Sequence, residues 1–251
     1  MSNSIESNGI NFERLFSPRA IGIVGAGHSP AGGSFFVRCM KEKFRGPLYL
    51  FNPRISGKEL YGYKVFSSIL EISDPIDYVI LAVPARICPK LLEEIGQKKV
   101  PFVTIFASGF REVGNEILEK ETLQVAKKYN IRIIGPNCIG VYNPSSNLYF
   151  GYDQSRKAGN FGGIFQSGGN AQNVAQLAVS YGVFISKFLS IGNALDLAAP
   201  EFLEYFLKDV HTKIIGLYLE NLRSIKQGRK FIDIVKKCNL NRKPVILWRA
   251  G

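Results

Sequence analysis

Two glycine-rich turns are where this sequence offers chemistry. Gly25-Ala26-Gly27-His28-Ser29-Pro30-Ala31-Gly32-Gly33 follows an apolar run and leads into a helix-length segment. Backbone N–H groups left unpaired at a helix N-terminus can hold phosphate, so Gly25, Gly27, Ser29, Gly32 and Gly33 are candidate ligands. A dinucleotide fingerprint, GxGxxG, fails on spacing, because Pro30 stands where the third glycine belongs. It fails again at the end of the second strand, where an NAD site carries an acid for the ribose and Phe51-Asn52-Pro53-Arg54 supplies a base. A ligand with a second anionic group near Arg54, a 3′- or 2′-phosphate, fits better than a bare ribose. A purely structural tight turn is the alternative. Phe165-Gln166-Ser167-Gly168-Gly169-Asn170 repeats the strand–glycine–helix arrangement, either as a second anion site or as an ordinary tight connection.

Other reactive groups are sparse. Glu220 ends an apolar run and, on its own, reads as an ordinary acid closing a strand. Cys138 would be a nucleophile only with a depressed pKa, and no histidine stands near it in sequence to act as base. The four cysteines, at 39, 88, 138 and 238, form no CxxC pair, and His28 and His211 lie far apart. Neither a disulfide framework nor a metal site is expected, and reduced, intracellular thiols are the simplest reading. An NADP-dependent oxidoreductase rests on Arg54 and the first loop alone and lacks a recognisable catalytic acid or base.

The elements that must position these groups alternate regularly. Ala20–Val24, Pro47–Phe51, Tyr78–Val83, Phe102–Phe106 and Ile131–Ile134 read as strands, with helices over Ser34–Lys43, Ala85–Gln97 and Asn115–Tyr129. Their uninterrupted apolar character suits strands covered on both faces, the parallel sheet of a doubly wound α/β domain. A second series follows, with strands at Phe161–Phe165, Phe184–Ile191, Ile214–Leu219 and Val245–Trp248 and helices near 170–181, 199–207 and 226–238. Val174, Leu177, Ala178 and Tyr181 fall at i, i+3, i+4 and i+7 and predict a buried helix face. The expected organisation is a first domain over 10–145, a linker over 146–160 rich in Asn, Ser, Pro, Gly and Tyr, and a second α/β domain over 161–251. The second domain reads as incomplete, because Ala250-Gly251 follows a strand with no helix to cover it.

Length and composition agree with this. At 251 residues, with 46% hydrophobic and 21% charged residues, the chain can bury a core and is unlike a disordered segment. No apolar run is long enough to span a membrane, and Met1–Asn11 is too polar for a signal peptide. A cytoplasmic protein without membrane partners is expected. The net charge of +12 favours an acidic partner of some kind. The densest basic run, Arg223–Lys243, holds eight Lys and Arg against Asp233, yet Phe231, Ile234, Val235 and Cys238 form a helical stripe within it. One amphipathic helix with a solvated basic face is expected there, rather than a nucleic-acid site.

Read together with Val83-Pro84, Ala107-Ser108-Gly109-Phe110, Gly135-Pro136-Asn137-Cys138-Ile139-Gly140 and Ser190-Ile191-Gly192-Asn193, the two loops resemble one family in order and spacing. It is the α subunit of the nucleoside-diphosphate-forming acyl-CoA synthetases, close to ADP-forming acetate–CoA ligase and more distantly similar to the succinyl-CoA synthetase α subunit. The resemblance implies a Rossmann-like CoA-binding domain followed by a flavodoxin-like domain. It implies coenzyme A or an acyl-CoA as ligand, with the Gly25–Gly33 loop at the nucleotide end and Pro53, Arg54 and Lys58 near the phosphates. Val83, Pro84, Ser108 and Gly109 would lie along the rest of the ligand, and Asn137 and Cys138 beside the thioester.

In this family acyl-CoA and phosphate yield acyl phosphate, a histidine is phosphorylated, and a partner ATP-grasp β subunit or domain holding ADP or ATP with Mg completes the transfer. Gln166, Ser167, Gly168 and Gly169 would then hold the phosphohistidine, and Glu220 would orient its ring. The resemblance places that histidine after the last strand, and neither His28 nor His211 matches it. The expectation is therefore a piece of a longer protein that binds ligand without turnover. A non-catalytic CoA- or acyl-CoA-binding module docking on an acidic partner is the alternative.

Overall fold

The computed structural model describes residues 6–7 and 9–250. The rest of the polar opening segment and the final Gly251 lie outside the described residues. The described residues open with a small ladder, β1 (Glu6–Ser7) against β2 (Ile10–Asn11), and a short helix α1 (Glu13–Phe16).

The first sheet has seven strands: β3 (Ile21–Val24), β4 (Leu48–Phe51), β5 (Glu59–Leu60), β6 (Tyr63–Phe66), β7 (Tyr78–Leu81), β8 (Phe102–Ile105) and β9 (Arg132–Ile134). They lie in the order β5-β6-β4-β3-β7-β8-β9. All pairs are parallel except the β5–β6 hairpin at one edge. The six parallel strands run in the Rossmann order, with the reversal of direction between β3 and β7. Every residue of β3, β7 and β8 is buried, the mark of strands covered on both faces. Around them stand α2 (Gly33–Met40), α3 (Cys88–Gln97) and α4 (Glu116–Lys128). Asn115 caps α4 by accepting from the Leu118 N–H, and acids in the first turn with lysines in the last complement the helix dipole.

The second sheet contains β10 (Gly140–Tyr142), β11 (Phe161–Phe165), β12 (Ile185–Ser190), β13 (Ile214–Leu219) and β14 (Val245–Arg249). Its order is β10-β12-β11-β13-β14. The last four strands are parallel in the flavodoxin-like order, and β10 adds to β12 in the antiparallel sense. Thus residues 140–142, before the segment expected as a linker, belong to the second sheet. Helices α5 (Gly168–Ser180), α6 (Ala199–Lys208) and α7 (Ile225–Leu240) complete it. Phe231, Ile234 and Cys238 bury one face of α7, as the expected stripe requires; Lys226, Arg229, Lys236 and Lys237 are exposed, while Lys230 is half-buried and pairs with Glu201 and Glu204 of α6.

The expected face of α5 is met in part, since Val174 and Ala178 pack half-buried against the core. Ala171 and Ala175 are the buried residues, while Leu177 is 59% and Tyr181 78% exposed. The rings of Phe165 and Phe188, stacked 5.0 Å apart, fill the space below the helix, so alanine-sized side chains make the contact. The larger stripe instead borders an open apolar surface with Phe161, Val183, Ile214 and Ile246. Beside it, β14 exposes Leu247 and Trp248.

Both sheets share one core. Phe12 and Phe16 pack against Phe202 and Tyr205 of α6, with the rings of Phe16 and Tyr205 stacked at 4.7 Å. Burying aromatic side chains of this size contributes about 1.5–3 kcal/mol each. Buried charges have partners: Asp77 accepts from Arg14 and Arg19, Asp209 accepts from Lys187 at 2.8 Å, and Lys243 donates to the Phe206 and Asp209 carbonyls. Among the described residues no helix is long and apolar enough to cross a membrane.

Candidate functional site

The first glycine turn is a preformed scaffold. Gly25 has φ +93°, and a Cβ there would lie 2.3 Å from the Ala82 carbonyl oxygen. A Cβ on Gly33 would lie 2.4 Å from the Ala26 nitrogen, so α2 can start flush against the loop only with glycine there. The buried Ser34 hydroxyl bonds the Gly27 N–H at 2.9 Å and the Gly27 carbonyl at 2.5 Å. Asn52 at the end of β4 donates to the Ala26 carbonyl at 2.8 Å and accepts from the Arg54 N–H at 3.0 Å. Gly32, the N-cap of α2, has no side chain to take the first helical amides.

The C-terminal ends of the two sheets meet over a cleft of about 550 Å³. Its walls join Gly32 to Val83 and Pro84 after β7, Ser108 after β8, Asn137 and Cys138 after β9, and Gly168 and Gly169 at the start of α5. Eight of the residues singled out in the sequence therefore come together, and Phe106 and Ile139 add apolar wall. At the second helix start, the Ser167 hydroxyl takes the Asn170 N–H at 3.2 Å, and the Gly168 and Gly169 amides, in the first turn, have no intrahelical acceptor. A Cβ on Gly169 would meet nothing within 4 Å. Two helix N-termini, each equivalent to partial positive charge, thus border one concavity at the switch point of the first sheet.

Asn137 has φ +58°, fixed by its N–H donating to the Ala107 carbonyl at 2.9 Å, and its side chain is exposed. Cys138 is 3% exposed, its Sγ 3.7 Å from the Ile105 carbonyl oxygen. Burial pushes its thiol up to about 12, so it stays protonated and is a wall of the cleft, not a nucleophile.

Other expected residues stand apart from this cleft. Gly25, Gly27, Ser29 and Gly33 shape the loop behind it; Ser29 accepts from the Ala31 N–H. Pro53 lines a separate, mostly apolar cavity of about 430 Å³ with Phe51, Ile87 and Leu91. Arg54, on the 3₁₀ turn Pro53–Ile55, and Lys58 are exposed near it in sequence. The Gly109 N–H donates to Glu112 at 2.5 Å.

Gln166 acts as a clamp between strands. Its Oε1 accepts from the Glu220 N–H at 2.5 Å and the Asn221 N–H at 2.9 Å, closing the switch point of the second sheet. The exposed Glu220 lines a neighbouring cleft of about 440 Å³ with Arg111, Glu112, Asn193 and Arg223.

Sequence reading missed three side chains that hold these parts in place. Asn52 ties the first loop to the Arg54 turn. Glu112 bonds Gly109 and Phe110 of the first unit and the Asn193 side chain of the second. Burial opposes its charge, yet the Gly109, Glu112 and Phe110 N–H groups and Asn193 outweigh this and hold its pKa below the usual carboxylate value. Arg223 reaches Glu119 on α4 and the Asn193 carbonyl. Asn52 and Asn193 lie beside proline or glycine in the turns that end their strands; nothing local marks Glu112 or Arg223. Among the described residues no group of three or more His, Cys, Asp or Glu is arranged to hold a metal ion.

Comparison with known proteins matches residues 19–144 to a CoA binding domain and residues 158–251 to a succinyl-CoA ligase like flavodoxin domain. The α subunit of ADP-forming acetate–CoA ligase II from Pyrococcus furiosus is 37% identical over 240 residues, 94% of this chain and 51% of that protein. ADP-forming acetate–CoA ligase from Methanocaldococcus jannaschii is 36% identical over 93% of this chain and 32% of that protein. Among solved structures, the dinucleotide forming acetyl-coenzyme A synthetase 1 of Ca. Korarchaeum cryptofilum, in complex with phosphate and ADP, superposes with a TM-score of 0.88 at 34% identity. That match covers 96% of this chain and 52% of the other. The chain thus spans between a third and about half of the length of these relatives.

Proposed function

Because the chain belongs to the family that joins a CoA binding domain to a succinyl-CoA ligase like flavodoxin domain, that of the ADP-forming acyl-CoA synthetase α subunits, we propose that it is the CoA-binding portion of an acid–thiol ligase. The observation that carries this reading is the single cleft bordered by Gly32 and by Gly168 and Gly169, with apolar walls between the two helix starts. Coenzyme A is long, anionic at one end and uncharged at the thiol. Its pyrophosphate lies against the start of α2, and its 3′-phosphate is met by Arg54, whose guanidinium binds phosphate in a bidentate way, and by Lys58. The adenine enters the apolar cavity at Pro53. Pantetheine runs past Val83, Pro84, Ser108 and Gly109, and the thioester stops at Asn137 and Cys138.

There the Gly168 and Gly169 amides face the reacting carbonyl and phosphate. N–H donors fixed before reaction stabilise the negative charge that develops on those oxygens. The full reaction converts acyl-CoA, ADP and phosphate to acid, CoA and ATP through a phosphohistidine outside these 251 residues. Glu220 orients that ring by accepting from its second nitrogen. ADP and Mg are held by an ATP-grasp unit, and the assembly works in the cytoplasm.

Thermal unfolding with CoA, dephospho-CoA and NADP tests the ligand. Saturation about 100-fold above Kd adds about 2.7 kcal/mol. CoA is expected to raise the melting temperature more than dephospho-CoA does. No shift at millimolar CoA, or a larger shift with NADP, removes the reading.

A further inference from the structure

A further cavity, of about 520 Å³, shares no lining residue with the cleft. The two lie at opposite ends of α2, which opens at the cleft with Gly32 and, about 12 Å further on, ends beside the cavity at Lys41. Its wall is made by Lys41, Lys43 and Arg45 after the helix, by Tyr61 and Tyr63 of the β5–β6 hairpin, and by Arg156 from the segment before β11. Four cations thus face one carboxylate, Glu42.

The charge is not neutralised within the protein. Glu42 pairs with Lys41 at 3.5 Å, and Lys43 donates to the Tyr152 carbonyl at 2.8 Å with its ammonium 4.9 Å from the Tyr149 ring. Arg45 and Arg156 are exposed and make no ion pair or hydrogen bond among the described residues. A concave site lined by one sign of charge concentrates counter-ions, and a guanidinium with all its donors unused is suited to phosphate oxygens.

The hairpin adds an aromatic surface at a conformational cost. The two-residue turn Tyr61-Gly62 has φ +57° and +87°, a geometry that favours Asn, Asp or Gly at its first position. Tyrosine there bears a backbone cost and places a half-buried ring, packed on one side against the core, beside the cations. A volume of this order is that of a small-ligand site.

We propose that this cavity binds a nucleoside polyphosphate, the phosphates on Arg45, Arg156, Lys41 and Lys43 and the base stacked on Tyr61. The site is independent of the CoA reading.

Calorimetric titration of the CoA-saturated protein with ATP, tripolyphosphate and adenosine tests it. ATP is expected to bind, tripolyphosphate more weakly, and both less tightly as salt rises. Arg45→Gln and Arg156→Gln should each weaken ATP by about tenfold, as loss of a charge-assisted hydrogen bond does. Tyr61→Gly, which relieves the turn, should bring ATP and tripolyphosphate together. Absence of ATP binding, or unchanged affinity in the Arg45→Gln/Arg156→Gln double variant, overturns the site. Tripolyphosphate binding as tightly as ATP to the unaltered protein overturns the nucleoside assignment.

Discussion

Arg132 on β9 and Asp196, beyond β12, are locked fork to fork: Nε donates to Oδ2 at 2.8 Å and Nη2 to Oδ1 at 3.0 Å. Asp196 also accepts from the Ile133 N–H at 2.9 Å, so one carboxylate fastens the edge of the first sheet to the second unit.

Removing that carboxylate leaves a guanidinium and a backbone donor without their partner in a largely buried seam. Asp196→Ala is expected to destabilise the protein by about 2–3 kcal/mol, and Asp196→Asn, which keeps one acceptor, by less. Urea denaturation of the three proteins measures this. A loss below about 0.5 kcal/mol would mean that the pair acts like an ordinary surface ion pair.

Gly33 and Gly169 start the two helices that border the cleft, but their surroundings differ. Gly33→Ala forces a Cβ to 2.4 Å from the Ala26 nitrogen, so the loop must move; a loss of about 2 kcal/mol or more and of CoA binding is expected. Gly169→Ala puts its methyl into open space and should change stability by less than about 1 kcal/mol. Circular dichroism melts with CoA titrations separate the two. Equal effects would contradict the described loop geometry.

The thiols of Cys39, Cys88 and Cys138 are each pushed up to about 12 by burial, well above the ordinary value of about 8.5. Between those values the folded protein holds protons that the unfolded chain has released, so stability falls as pH rises. Iodoacetamide at pH 8 should leave the folded protein unlabelled and modify all four cysteines in denaturant. Replacing Cys138 by alanine should flatten the decline in stability above pH 9. Rapid labelling of Cys138 in the folded protein would show that the thiol is accessible.

The sequence revealed most where one segment decides its own structure. All nine expected strands occur, because runs such as Tyr78–Leu81 are apolar throughout and bounded by turn residues. The hairpin β5–β6 and the strand β10 escaped notice: each strand is two to four residues long, and only their partners make them strands. Apolar spacing in α5 identified a helix and half of its packed face, Val174 and Ala178, but also assigned it Leu177 and Tyr181, which are exposed because the rings beneath the helix decide what fits. For the site, glycines betrayed the two helix starts. That Gly32 and Gly169 share a cleft depends on how two sheets dock, and contacts such as Glu112 with Asn193, 81 positions apart, leave no local trace.

The aromatic clasp of Phe12 and Phe16 on Tyr205 has a consequence for anyone wishing to study the halves separately. A fragment cut near residue 145 would strip the second unit of β10 and leave both pieces with greasy faces in water. Heat should melt the protein in one concerted step, not two, and each half should prove a poor guide to the whole.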